Sequence, residues 1–224
     1  MSRKGISGST LKLFATVTML IDHIGVTFFP EDKLWRIIGR IAFPIFVFFL
    51  TEGFCYTHNK QKYVCRLAVF ALLSELPFNL VIRRELWDWS FRHQNVLLTM
   101  LFGFLTIWAL DEVIRRSSDR VWQTSCGILI VSCGMLLAQW CRTDYREYGV
   151  LAIVVMYLLR RNRILQVLGG CLTLGFMGDL EWYCLLAVVP LLLYDGRKGL
   201  SIKYFFYFFY PLHFLLLAGF AAVF

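Results

Sequence analysis

Nine apolar runs, separated by short basic or polar segments, decide what this chain can fold into. They cover residues 11–29, 34–56, 63–82, 95–114, 121–140, 148–159, 164–177, 181–194 and 203–224. About twenty apolar residues cross a bilayer as a helix, and in lipid only a helix or a closed barrel satisfies its own backbone. The pattern predicts an all-α polytopic transmembrane helix bundle forming one domain, residues 1–224. The sixth to eighth runs are short, so eight or ten spans fit almost as well as nine.

Composition agrees. The chain is 58% hydrophobic and only 17% charged, with a mean hydropathy of +0.63. Soluble domains are nearer half apolar and about a quarter charged. The net charge of +8 would suggest nucleic acid in a soluble protein. Here the basic residues sit between apolar runs, where they set topology instead, and no nucleic-acid partner is expected. With the N-terminus in the cytoplasm, 15 of the 23 Lys and Arg fall on the inner side, leaving Lys33, Arg36, Arg40, Arg83, Arg84, Arg92, Arg142 and Arg146 outside. Trp87, Trp89, Trp140 and Tyr145 near the run ends suit an interfacial aromatic belt. No cleavable leader is expected. The seven cysteines lack a CxxC and read as small packing residues, so no metal is expected.

The polar residues inside the runs carry the chemistry. Asp22-His23 lies near the middle of the first run, where a charge costs at least roughly 2.5–3.5 kcal/mol. Neighbours on a helix point about 100° apart, so Asp22 is expected to pair with another helix while His23 handles a proton. Arg36 and Arg40, four apart, share one face and suit a carboxylate, a phosphate or a developing oxyanion; snorkelling to the outer interface is the other reading. Gly39 permits close packing beside them. Glu52 and Glu75 are expected to pair with Arg36, Arg40 or His23, for structure or for catalysis. His213 lies half-way along the last run. Asp144-Tyr145-Arg146-Glu147 falls in an outer loop, where it meets an acceptor or caps a helix.

A histidine titrating near neutrality is a natural general base, and arginines can hold an acyl oxyanion. On the inner rim, Lys60, Lys62, Arg66, Arg197, Lys198 and Lys203, with Tyr207 and Tyr210, are placed to hold the nucleotide phosphates of an acyl-coenzyme A. That set fits acyl transfer through a membrane. It fits a proton-coupled small-molecule transporter nearly as well, and a haem-binding bundle using His23 and His213 is a third reading.

The run from Leu11-Lys12 to Ile21-Asp-His-Ile-Gly25, then Arg36-Ile-Ile-Gly-Arg-Ile-Ala-Phe-Pro-Ile-Phe46 and Glu52-Gly-Phe54, resembles the TraX family. So do Ser74-Glu-Leu-Pro-Phe-Asn79, Gln94-Asn-Val96, Tyr148-Gly149 and Lys203-Tyr-Phe-Phe-Tyr207 with Tyr210-Pro-Leu-His213. The resemblance covers nearly the whole chain. It implies a multi-pass acetyl- or acyltransferase of the bacterial plasma membrane, drawing on cytoplasmic acetyl-coenzyme A. It implies His23 as catalytic base, with Asp22, Arg36, Arg40, Glu52, Glu75 and His213 as site residues. The acceptor stays open: a peptide N-terminus, a small amine or an envelope glycan. Oligomerisation is possible.

Overall fold

The computed structural model describes residues 5–82, 93–201 and 203–223. The expected charges at Arg3, Lys4, Arg83, Arg84 and Arg92, and the belt residues Trp87 and Trp89, lie outside the described residues. All nine runs form helix: α1 (Gly8–Phe28), α2 (Lys33–Gly39), α3 (Ala42–Tyr56), α4 (Lys60–Ile82), α5 (Val96–Arg116), α6 (Arg120–Trp140), α7 (Arg146–Leu158), α8 (Arg163–Gly175), a 3-10 helix (Asp179–Ala187) running into α9 (Val188–Leu192), and α10 (Lys203–Val223). Among the described residues, six spans are long and apolar enough to cross a membrane, with α2 and α3 together forming the second.

Two runs differ from the expected single α-helices. The second breaks at Arg40–Ile41, and the eighth is largely 3-10. Pro44 explains the first difference. It sits in the first turn of α3, where a missing N–H costs nothing because that donor has no helical acceptor. Pro77, by contrast, lies inside a continuous α4.

Successive spans run antiparallel, so the connections gather at two ends. At one end lie the start of α1 and the α3–α4, α5–α6, α7–α8 and α9–α10 connections, carrying Lys60, Arg115, Arg116, Arg160, Arg161, Arg163, Arg197 and Lys198. There Lys60 Nζ meets Asp111 at 2.8 Å, and the N–H groups of Gly8 and Ser9 donate to the carbonyls of Arg197 and Lys198. This is the basic end. At the opposite end, Gln94 bridges Thr143.

The long helices screen the short ones. On α6, Val121, Trp122, Ile128, Leu129, Leu136 and Trp140 are exposed while Gly127, Gly134 and Ala138 face inward. Apolar outside with small residues inside is the arrangement of a lipid-facing helix. In contrast, Val150, Ala152, Ile153, Val154, Met156 and Tyr157 of α7 are buried. Its 13 residues rise about 20 Å at 1.5 Å each, short of a hydrocarbon core of about 30 Å. Packed against α3, α5, α6 and α8, α7 needs no full span of its own.

Two glycines lock α1 to α2. A Cβ at Gly25 would fall 2.2 Å from Trp35 Cβ, and one at Gly39 would fall 2.2 Å from Asp22 Cβ. Each helix thus offers a gap that receives a side chain of the other. Nothing lies within 4 Å of a Cβ built at Gly219 on α10. We expect Gly39→Ala to lower the thermal midpoint in detergent, by an overpacking cost of about 1–3 kcal/mol. Gly219→Ala should be neutral or slightly stabilising. Equal midpoints for the two variants would show that the α1–α2 contact does not depend on the missing side chain.

Candidate active site

The ends of α1 and α2, the Arg40–Ile41 turn and the 3-10 helix bring four charges into one alternating row at the end opposite the basic one. Arg36 Nη1 lies 3.3 Å from Asp22 Oδ2, Arg40 Nη2 lies 3.6 Å from Asp22 Oδ1, and Arg40 Nη1 donates to Glu181 Oε1 at 2.8 Å. Arg40 Nη1 also lies 3.4 Å from the Tyr145 hydroxyl, and its Nε reaches the Arg36 carbonyl at 3.3 Å. Only 7% of the Arg40 side chain is exposed, against 35% for Arg36. Two carboxylates, with acceptors for Nε and Nη1, are what offsets the burial of a guanidinium at such a position. Arg40 is therefore committed to the protein, while Arg36 keeps donors free to meet something else.

Beside this row two imidazoles meet. His23 of α1 and His213 of α10 approach at 2.6 Å, Nδ1 to Nε2, and His213 Nδ1 lies 3.0 Å from the Phe209 carbonyl. Phe214 packs against both rings. Asp22 and His23 do point to different neighbours, the first to α2 and the second to α10.

Asp22, His23, Arg36, Arg40 and Glu181 line a cavity of about 650 Å³, together with His93, Asp144, Tyr145 and Glu147. A second, of about 1110 Å³, opens at the basic end and is lined by Lys12, Arg160, Arg161, Arg163, Lys198 and Glu52. Between them lies a narrower, mostly apolar cavity of about 220 Å³. It shares Lys12, Phe49, Gly53 and Phe206 with the basic cavity, and Met19, Phe46, Val96 and Tyr210 with the histidine cavity. The three make one row through the bundle.

The expected site residues divide along this row. Asp22, His23, Arg36 and Arg40 come together, and His213 joins through His23. Glu52 does not reach them: it faces the basic cavity, with Arg163 as its charged neighbour. Glu75 accepts from the Asn95 side chain at 2.5 Å instead. Of the expected rim, Lys198 lines the basic cavity, and Arg66, Tyr207 and Tyr210 line the middle one. Lys60 is held by Asp111 over the Phe54 ring, Lys62 is exposed on α4, and Arg197 turns onto Asp195 at 2.6 Å. Hydrogen bonds from Arg197 hold the Asp195 carboxyl below the usual range. Lys203 opens α10, and its side chain lies outside the described part.

Glu181, Lys12, Arg160, Arg161 and Arg163 were not foreseen as site residues. Glu181 opens an apolar run, and the arginines occupy a short loop, where charge is ordinary. Tyr145 is not a belt residue: it is buried, its ring flat against Phe43.

Fold and site together define a multi-pass membrane protein with a histidine pair on a row of cavities through the bundle. Residues 7–221 match the family described as TraX protein, and the chain belongs to that family. It is 28% identical to the probable fimbrial assembly protein FimC, serogroup H1, of Dichelobacter nodosus, over 95% of each chain. It is 27% identical to an uncharacterised protein of Rickettsia prowazekii (strain Madrid E), over 66% of this chain and 52% of that one. No solved structure matches.

Removing Arg40 alone should leave Glu181 without its cation and Asp22 with Arg36 only. Arg40→Met is expected to cost about 3–5 kcal/mol, read as a lowered unfolding midpoint in detergent. The triple variant Asp22→Asn, Arg40→Met, Glu181→Gln should regain most of that loss. A triple variant no more stable than Arg40→Met would mean that the charges are not balanced within this row.

Proposed function

We propose that this protein is a membrane acyltransferase. It moves an acetyl or other short acyl group from a coenzyme A thioester at the basic, cytoplasmic end to an amine or hydroxyl acceptor at the other. The observation that carries the reading is the row of three cavities, cationic at one mouth, apolar in the middle and reaching His23, whose Nε2 has no hydrogen-bond partner among the described residues. Nucleotide phosphates call for clustered cations, and Lys12, Arg160, Arg161, Arg163 and Lys198 supply them. A pantetheine arm calls for a narrow, largely apolar passage, which the middle cavity offers.

In this reading the acceptor nitrogen or oxygen attacks the thioester carbonyl in the histidine cavity. The new C–N or C–O bond forms, His23 Nε2 takes the proton of the attacking group, and the C–S bond breaks to release the coenzyme thiolate. Arg36, the less engaged guanidinium, faces the developing oxyanion. Arg40 holds Asp22 and the turn in place. The printed name of the Dichelobacter relative makes a fimbrial subunit an acceptor worth testing, beside a small amine or envelope glycan. A bacterial plasma membrane is the setting these substrates require.

The same through-going row also suits a proton-coupled transporter, and coenzyme A binding separates the two. Calorimetry on the purified protein is expected to detect acetyl-coenzyme A binding. Replacing Arg160, Arg161 and Arg163 together by Gln should weaken it at least about tenfold, the loss of one or two charge-assisted contacts. Absence of binding would sink the acyltransferase reading. His23→Ala should lower transfer by about 10²–10⁴-fold, the usual share of a general base, with coenzyme affinity kept. Mass spectrometry of envelope and secreted material, with and without the protein, would name the acceptor by its lost acyl group.

A further inference from the structure

The structure assigns His213 as the residue that fixes the tautomer of His23, through a relay that ends on the backbone carbonyl of Phe209 and uses no carboxylate. The assignment rests on the acyltransferase reading for its purpose but not for its geometry.

Hydrogen-bond direction follows from one end of the chain of contacts. A carbonyl oxygen only accepts, so the 3.0 Å contact with Phe209 requires the proton of neutral His213 to sit on Nδ1. The Nε2 of His213 is then a bare lone pair. It faces His23 Nδ1 at 2.6 Å, and two lone pairs do not meet at that distance, so His23 carries its proton on Nδ1 and donates. The ring planes lie within 14° of each other with centroids 4.9 Å apart. Nitrogens 2.6 Å apart in nearly parallel rings meet edge to edge, in the ring planes, as an N–H···N bond demands. What remains on His23 is Nε2. It has no hydrogen-bond partner among the described residues, and His23 lines the histidine cavity.

Usually a carboxylate or carbonyl holds the far nitrogen of a working histidine. The adjacent carboxylate is unavailable here, because Asp22 is taken by Arg36 and Arg40. A second imidazole does the same work while remaining neutral in the resting state. It also has somewhere to put charge. When His23 Nε2 gains a proton, the Nδ1 proton can pass to His213 Nε2. His213 then becomes the cation, its Nδ1–H still bonded to the Phe209 carbonyl, and His23 returns to neutral. No bond other than N–H forms or breaks. Pro211 interrupts the regular hydrogen bonding of this part of α10, where His213 turns back onto a carbonyl four residues earlier.

His213 is thus a positioning residue, and its test reads the tautomer directly. The full chain, labelled with [15N]histidine and placed in lipid nanodiscs, has four histidines to assign, each by its own substitution. The expected 15N shifts show His23 protonated at Nδ1 and bare at Nε2, with a through-bond coupling to His213 Nε2. In His213→Phe, His23 should change to the Nε2–H form. In His213→Gln, whose amide oxygen still accepts, it should keep the Nδ1–H form. Transfer should fall about 10–100-fold in kcat in His213→Phe, the usual loss of an orienting partner, with the donor KM unchanged, and recover in His213→Gln. An Nε2–H form of His23 in the unaltered protein, or no change in His213→Phe, would overturn the assignment. If the tautomer is as assigned but acetyl-coenzyme A neither binds nor reacts, the acyltransferase reading falls and the relay stands.

Discussion

Arg40 between Asp22 and Glu181 is the interaction on which the arrangement depends. A lone guanidinium at depth in a membrane is costly, and the protein meets that cost with a carboxylate from α1 on one side and another from the 3-10 helix on the other. Three stretches far apart in the chain are thereby tied together. Gly39 lets Asp22 come near enough, since any side chain there would occupy its place. The break at Arg40–Ile41 lets the arginine leave the helical row and turn inward. Local backbone, packing and charge balance all point to the same geometry at this one residue.

Around that anchor the two ends serve different chemistry. The cavity at the basic end gathers cations from α1, the α7–α8 loop and the α9–α10 loop, with Glu52 as the one carboxylate among the described residues of its lining. Several of its other charges are spent on structure. Asp111 accepts from Lys60, Tyr157 and Arg115, fastening α4, α5 and α7. Around the cavity itself, Arg160 and Arg163 each donate one Nη1 to a backbone carbonyl, of Tyr157 and Tyr194, and Arg161 is exposed. At the opposite end charge is nearly balanced, row by row.

How much of this could be read from the sequence follows from where a charge stands. Asp22, His23, Arg36, Arg40 and His213 stood out because each interrupts an apolar run, and a charge or imidazole there needs a reason. Glu181 and Tyr145 contribute as much to the site, yet they sit at run ends, where polar residues are ordinary and partners depend on the packing of distant helices. The helix break had a sign in Pro44, which belongs in a first turn, but a proline inside a span is read as readily as a kink, and Pro77 shows that the chain contains one within a continuous helix. The rim lysines could not be sorted from sequence for the opposite reason. Lys60 and Lys62 belong to one basic cluster, and only the fold shows that Lys60 pairs with Asp111 while Lys62 is exposed.

The division between Asp22 and His23 has a further physical consequence. Adjacent on one helix and turned about 100° apart, they bind α1 to two different partners, α2 through charge and α10 through imidazole. If one group served both roles, each proton taken up would disturb an ion pair that holds α1 against α2. With Asp22 paired to two arginines, the proposed proton transfer on the histidine pair would leave the Asp22–Arg40–Glu181 row in place. In the proposed reaction, placing proton transfer on neutral rings beside a compensated ion row would let the site change protonation without breaking the contact of α1 with α2. A membrane interior, where every uncompensated charge is expensive, is where that separation matters most.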